Sequence, residues 1–244
     1  MPATLHPALK GARACIFDAG GTIVHPDWPR LSAIAADTCG QTFEPDEMAR
    51  AFAEMLRAVG REMQSEGYVL PDDLKRPHWT FRKMYGALGL DAATGEAVLD
   101  RLAASHGERH VWSRPDDAAT GVLDELKRQG LVLAVISNTE DGRLIESLEA
   151  AGVSASFDLL IDSHLVGLRK PDPAIFRLTL ERLELQPHEA AYVGDSYAHD
   201  ALAAHAVGLR GILLDPLDLH PESICPRIGS LSELVNPIAS NGFA

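Results

Sequence analysis

Asp18 ends a short apolar run, Cys15-Ile16-Phe17, and opens the glycine-rich turn Ala19-Gly20-Gly21-Thr22. A carboxylate at the end of a buried strand, on a turn whose glycines let backbone approach a ligand, is a candidate nucleophile. Three further segments carry polar residues after apolar stretches or in loops. Ser137-Asn138 follows the unbroken apolar run 131–136, Lys170 precedes Pro171-Asp172, and Gly194-Asp195-Ser196 follows 190–193, with Asp200 five residues beyond Asp195. Each has a plain structural reading: Ser137-Asn138 can cap a helix, Lys170 can be a solvated loop charge, and Asp195-Ser196 can be a turn. In a parallel sheet, however, all strand ends of this kind open on one edge, so the four segments converge.

The elements that must position them follow from periodicity. Ala14–Phe17 reads as the first strand. The segment His25-Pro26-Asp27-Trp28-Pro29 holds two prolines and is expected to exclude regular structure and mark a boundary. Beyond it, Met48, Ala51, Phe52, Met55, Leu56, Val59 and Met63 recur at helical steps behind the acidic start Glu44-Pro45-Asp46-Glu47. Shorter helical patterns cover 31–39, 79–88 and 96–104, so residues 27–112 read as an all-helical insertion. After Pro115 strands and helices alternate, which argues a parallel sheet with helices on its faces. Strands are expected at 131–136, 158–161, 190–193 and 211–214. Helices are expected at 117–129, at 144–151, after Asp172-Pro173 with the inner face Ile175, Phe176, Thr179, Leu180 and Leu183, and from Ser196 to Val207. A weak helical pattern follows near 231–235. The division is then 1–26 with 113–244 as an α/β core domain and 27–112 as a helical domain.

Composition narrows the partners. The 244 residues, 46% of them hydrophobic, can bury a sizeable core. A formal net charge of -13 repels nucleic acid and anionic membrane surfaces, so neither is expected as a partner. The three cysteines, Cys15, Cys39 and Cys225, form no Cys-x-x-Cys pair and read as reduced residues of a cytoplasmic protein. Residues 1–13 carry no apolar targeting core and no stretch is long and apolar enough to span a membrane.

The constellation resembles the haloacid dehalogenase superfamily, in the subfamily IA type with a C1 helical cap. Phe17-Asp18-Ala19-Gly20-Gly21-Thr22 resembles its first motif, Ser137-Asn138 the second, Lys170-Pro171 the third, and Gly194-Asp195-Ser196-Tyr197-Ala198-His199-Asp200 the fourth. The resemblance implies a Rossmann-like three-layer parallel-sheet core with an inserted all-helical cap, and most commonly a Mg2+-dependent phosphatase for a small phosphorylated metabolite. It makes Asp18 the nucleophile that takes the phosphoryl group as an aspartyl phosphate. Thr22, Ser137 and Asn138 would hold substrate oxygens, and Lys170 would neutralise charge on the transferring group and orient Asp18. Mg2+ would sit on the carboxylates of Asp18 and Asp195 and the backbone carbonyl of Gly20, an oxygen-only set. Asp200 and Ser196 would stand behind these ligands, Asp200 also as a supplementary one. A monomer or homodimer is expected.

One position departs from the family pattern. Most family phosphatases carry a second Asp two residues after the nucleophile, as general acid and base; here Gly20 stands there. Losing such a group typically removes about 10² to 10⁴ in rate. Three readings stay open: a phosphatase with a substitute acid/base, for which His25, Asp27 and His199 are candidates; a 2-haloacid dehalogenase or phosphonate hydrolase, which needs no acid there; or a non-catalytic protein that binds Mg2+ and a phosphorylated ligand. The Gly194-Asp195 metal loop counts against dehalogenation. A phosphonate hydrolase needs a cap lysine, for which the insert offers Lys75 and Lys83. Other notable insert residues are Arg57, Arg61, Arg76, His78, Trp79 and Arg82.

Overall fold

The computed structural model describes residues 3–65 and 78–236. The chain forms two compact units, one from Met1–Val24 with Pro115–Ala244 and one from His25–Arg114. The first is α/β. Its parallel sheet runs in the order β5-β4-β1-β6-β7-β8, where β1 is Ala14–Phe17, β4 Val132–Ser137, β5 Leu159–Asp162, β6 Ala190–Gly194, β7 Arg210–Leu214 and β8 Arg227–Ile228. Every residue of β1 and β6 is buried, as in a sheet covered on both faces, which is why these strands are continuous apolar runs rather than alternating ones.

β1 lies at the centre. Phe17 is in register with Val135 of β4 on one side and Val193 of β6 on the other, so Asp18, Ser137 and Asp195 all emerge at the same sheet edge. Helices α5 (Ala119–Arg128), α6 (Leu144–Ala150), α7 (Ser163–Val166), α8 (Pro173–Leu183) and α9 (Leu202–Ala206) connect the strands. The Asp172 carboxylate caps α8 by accepting from the Ala174 N–H at 2.8 Å, with Pro173 in the first turn, where it gives up no bond. The core against α8 joins Ile16, Ala134, Ile136, Ile161, Ile175, Phe176, Leu180 and Tyr192.

The second unit is helical: α1 (Trp28–Cys39), α2 (Pro45–Met63), α3 (Trp79–Ala87) and α4 (Ala92–Glu108). The apolar stripe anticipated from Met48 to Met63 is the buried face of α2, and Met48, Phe52 and Val59 meet Phe81, Met84, Tyr85, Val98 and Leu102. The Tyr85 hydroxyl donates to the Leu31 carbonyl at 3.0 Å, satisfying a group otherwise stranded among apolar side chains.

The expectation that the prolines near residue 26 exclude regular structure is overturned. Val24–Pro26 is a strand, β2, paired with β3 (Trp112–Pro115) in a sheet of two strands, and Pro29 sits in the first turn of α1. Pro26 tolerates this position because it ends an edge strand, and Pro29 because the first helical N–H groups have no intrahelical partner. The expected last helix before Val207 is also different: its first turn, Tyr197–Ala201, is π-wound, and only Leu202–Ala206 is α. The weak helical pattern near 231 is a 3-10 turn, Leu231–Leu234.

Met84 is fully buried, so Met84→Ala should destabilise the helical unit by about 2–5 kcal/mol through lost contacts and the cavity left behind. Urea unfolding followed by circular dichroism measures this, and a loss under about 0.5 kcal/mol, the range of surface substitutions, would contradict the packing described.

Candidate active site

The turn after β1 is wound around one carbonyl. Ala19 O accepts the N–H groups of Thr22, Ile23 and Val24, and the Asp18 N–H donates to Val193 O at 2.8 Å, tying the start of the turn to β6. Gly21 sits at φ +89°, and a Cβ there would lie 2.1 Å from Asp195 Oδ2. Glycine is therefore required both for the backbone angle and for the room that Asp195 occupies. The Gly20 carbonyl lies outside this set of turn bonds. Thr22 is fully buried and its hydroxyl donates to Asp18 Oδ2 at 3.3 Å, so its side chain serves the carboxylate.

Lys170 ties the site together. Its Nζ donates to Asp18 Oδ1 at 2.6 Å, to Asp200 Oδ1 at 2.6 Å and to the Tyr192 hydroxyl at 3.0 Å, and Asp18, Lys170 and Asp200 are all buried. Asp200 is brought back over the end of β6 by the π-wound turn. A Cβ on Gly194 would lie 2.5 Å from the Asp200 Cβ, so only glycine lets that carboxylate pack there. The Ser196 N–H donates to Asp200 Oδ2 at 3.0 Å, and the Ser196 hydroxyl meets the His199 Nδ1 at 3.1 Å, fixing the turn.

The two residues at the end of β4 behave differently. The Ser137 hydroxyl has no hydrogen-bond partner among the described residues and is the available donor at this edge. The Asn138 carboxamide is engaged at both ends: its Nδ2 donates to Lys170 O at 2.9 Å and its Oδ1 accepts the Lys170 N–H at 2.8 Å. Its side chain thus latches the lysine loop to β4, with one Nδ2 hydrogen and one Oδ1 lone pair committed to Lys170.

Burial raises the Asp18 carboxyl to about 6; Lys170 pulls it back and Asp200 pushes it further up. Asp195, half-buried, is pushed well above the usual carboxylate range by desolvation and by the charges of Asp18 and Asp200. For Lys170, burial opposes the charge, but Asp18 and Asp200 outweigh it and the net direction is upward. Ligand oxygens of Asp18, Asp195 and Asp200 lie within 4.8 Å of one another, and three carboxylates facing one ammonium leave two negative charges unmatched. Such an oxygen donor set fits a divalent cation. Asp200 is the most engaged of the three, accepting from Lys170, Tyr192 and the Ser196 N–H, so Asp18 and Asp195 are the leading candidates to hold the ion, with Asp200 behind them.

Other sequence candidates fall elsewhere. His25 lies in β2, half-buried, within the helical unit. Asp27 is buried, paired with Arg109 and with Arg114 at 3.3 Å, so its carboxylate is already committed as an ion pair. Burial depresses the His199 imidazole to about 4, and its Nδ1 is held by Ser196. Trp79 packs against the helical core and Arg82 pairs with Glu96 at 2.7 Å, while Lys75 and Arg76 lie outside the described residues. The residue that the sequence reading missed is Tyr192. Its only signal is a hydroxyl inside an apolar strand, two residues before Gly194.

A central parallel strand ending in a buried carboxylate, with a lysine brought to it from the loop before α8 and a second carboxylate from the turn after β6, is the arrangement of a hydrolase of the haloacid dehalogenase class. The chain belongs to the haloacid dehalogenase-like hydrolase family, whose model matches residues 12–208. It is 36% identical over 209 residues to the mouse haloacid dehalogenase-like hydrolase domain-containing protein 3, covering 80% of each chain. It is 29% identical to a ribulose-1,5-bisphosphate 5-phosphatase of Halopiger xanaduensis, covering 84% of this chain and 85% of that one. Among solved structures, the magnesium-bound Bacillus subtilis chain YfnB superposes with a TM-score of 0.65 at 21% identity, covering 91% of this chain and 96% of that one, a likeness of fold.

Because ionised Asp195 is costly to bury without a cation, Asp195→Asn should raise the melting temperature of the metal-free protein at pH 7 by about 2–4 °C. A carboxyl raised in the folded state contributes stability that is complete below its unfolded value near 4 and lost as pH rises, so the gap between the two proteins should close as pH falls toward 4. Magnesium should stabilise the wild type and leave Asp195→Asn unmoved. Thermal melts in chelator and in magnesium measure both effects; an equal magnesium response in the two proteins would remove Asp195 from the metal site.

Proposed function

We propose that this hydrolase is a Mg2+-dependent phosphatase acting on a small phosphorylated metabolite through an aspartyl phosphate on Asp18. The observation that carries the reading is the Asp18 carboxylate, held on Oδ1 by Lys170 and on Oδ2 by Thr22 at the open edge of the sheet, with Asp195 beside it. The phosphatase name of the Halopiger relative supports it.

Phosphoryl transfer is chiefly positioning and charge stabilisation, and the residues divide that work. Thr22 and Lys170 hold the Asp18 carboxylate so that an oxygen lone pair attacks phosphorus while the bond to the leaving oxygen breaks and its electron pair departs with that oxygen. The Ser137 hydroxyl donates to a phosphoryl oxygen. Asp18, Asp195 and the Gly20 carbonyl would hold magnesium, which would supply positive charge to the phosphoryl oxygens. Water then attacks the aspartyl phosphate, releasing inorganic phosphate and the free Asp18 carboxylate. Substrate choice is assigned to the helical insertion, 27–112, as the resemblance to a C1 cap implies.

Gly20 offers no proton to the leaving oxygen. Esters whose leaving groups are stable as anions, aryl and acyl phosphates, should therefore turn over about 10²-fold or more faster than alkyl phosphates. Phosphate release from such a panel, with and without magnesium and with Asp18→Asn as control, tests the reading. Gly20→Asp should speed alkyl esters by about 10-fold or more, and equal wild-type rates on aryl and alkyl esters would show that another group supplies the proton. If no ester releases phosphate, halide release from a 2-haloacid becomes the reaction to measure.

A further inference from the structure

A tyrosine hydroxyl lies in the middle of the sheet, where burying a polar group is costly. Tyr192 is fully buried in β6, in register with Ile16 of β1, and its ring meets Phe176 edge-on at 5.3 Å. Phenylalanine would fill the same space without burying a hydroxyl, whose desolvation must be offset by its hydrogen bonds. Those bonds all lead to the site. The hydroxyl accepts from Lys170 Nζ at 3.0 Å, and its own hydrogen has two possible acceptors, Asp200 Oδ1 at 3.0 Å and the Ile136 carbonyl at 3.4 Å. The charged and nearer one, Asp200, is the stronger.

We propose that Tyr192 is a positioning residue for the reaction at Asp18: its hydroxyl is the third leg of a tripod that fixes the Lys170 ammonium and commits one of its N–H groups to Asp18 Oδ1. An ammonium has three N–H donors, and here they meet three acceptors at 2.6, 2.6 and 3.0 Å. With two carboxylates alone the third N–H would be buried without an acceptor, and the head could tilt to share its hydrogens unequally between them. The third acceptor removes that freedom, and because it stands on a rigid, fully packed ring in the strand beside β1, it places the ammonium relative to the nucleophile's own strand. The other end of the residue is already fixed, since Asn138 grips both the N–H and the carbonyl of Lys170. With its three hydrogens committed to protein, Lys170 acts on substrate through the orientation of Asp18 and through its charge.

This inference rests on Asp18 being the nucleophile, and the test separates the two ideas. Tyr192→Phe keeps the ring and removes the hydroxyl. With p-nitrophenyl phosphate, kcat should fall about 10- to 100-fold, the scale of a small misplacement of a reacting group, while KM and the magnesium half-saturation stay within about twofold. Phe176→Leu disturbs the same packing without touching the hydroxyl network. It should lower the melting temperature and leave kcat within about twofold. An unchanged kcat in Tyr192→Phe, or an equal loss in Phe176→Leu, would overturn the proposal.

Binding of beryllium fluoride with magnesium, followed by fluorine NMR, reads the nucleophile without turnover. The wild type should form an adduct that Asp18→Asn lacks, and Tyr192→Phe should bind about tenfold more weakly. Adduct formation without ester hydrolysis in the wild type would reject the phosphatase reading and leave the tripod standing. Equal affinity in Tyr192→Phe, or no adduct in the wild type, would overturn the tripod.

Discussion

The structure depends on one buried ammonium shared between two carboxylates. Lys170 lies 2.6 Å from both Asp18 and Asp200, in surroundings where an unpaired charge is costly, so removing the lysine leaves both carboxylates uncompensated. That constraint reaches outward. It demands a glycine at 194 so that Asp200 can pack over the end of β6, a π-wound turn to swing Asp200 back, a carboxamide at 138 to hold the lysine loop, and a hydroxyl at 192 to take the third hydrogen. The residual negative charge of the three aspartates then suits a divalent cation, the one that the proposed reaction uses. Stability is given up here for function, which is common where like charges are gathered to bind a cation.

The sheet makes this possible. A parallel sheet sends every strand's C-terminal end to one edge, and with β1 between β4 and β6, residues 119 to 182 positions apart in sequence meet there: Asp18 with Ser137, Lys170, Asp195 and Asp200. The order β5-β4-β1-β6-β7-β8 also buries both faces of the central strands, which holds the carboxylate-bearing ends rigid. Chemistry grafted onto such an edge is set by side chains and not by the fold itself, so family membership establishes a hydrolase and leaves the leaving group to be argued from Gly20.

How much of this was legible in the sequence varies with the range of the interactions. The strands around Asp18, Ser137 and Asp195 were readable because a doubly covered parallel strand is an unbroken apolar run. The helix α2 was readable from its recurring apolar face, and the start of α8 from Asp172-Pro173. Asn138 was legible as a site residue, but its grip on Lys170 was not, because what a carboxamide bonds depends on a residue 32 positions away. Tyr192 was invisible: in a pattern of apolar and polar positions a buried tyrosine counts as core, and only the folded sheet shows where its hydroxyl points. Strand β2 was missed because proline was weighed as a breaker without its place at a strand end, and β8, two residues long, carries no period to read.

The proposed reaction turns on attack of Asp18 on phosphorus. Rapid acid quench of the wild-type enzyme turning over p-nitrophenyl phosphate with magnesium, followed by peptide mapping, tests it directly. A hydroxylamine-sensitive phosphoryl group on the peptide containing Asp18, absent in chelator and in Asp18→Asn, is the expected result. Phosphate release with the label on another residue, or undiminished release by Asp18→Asn, would contradict the account.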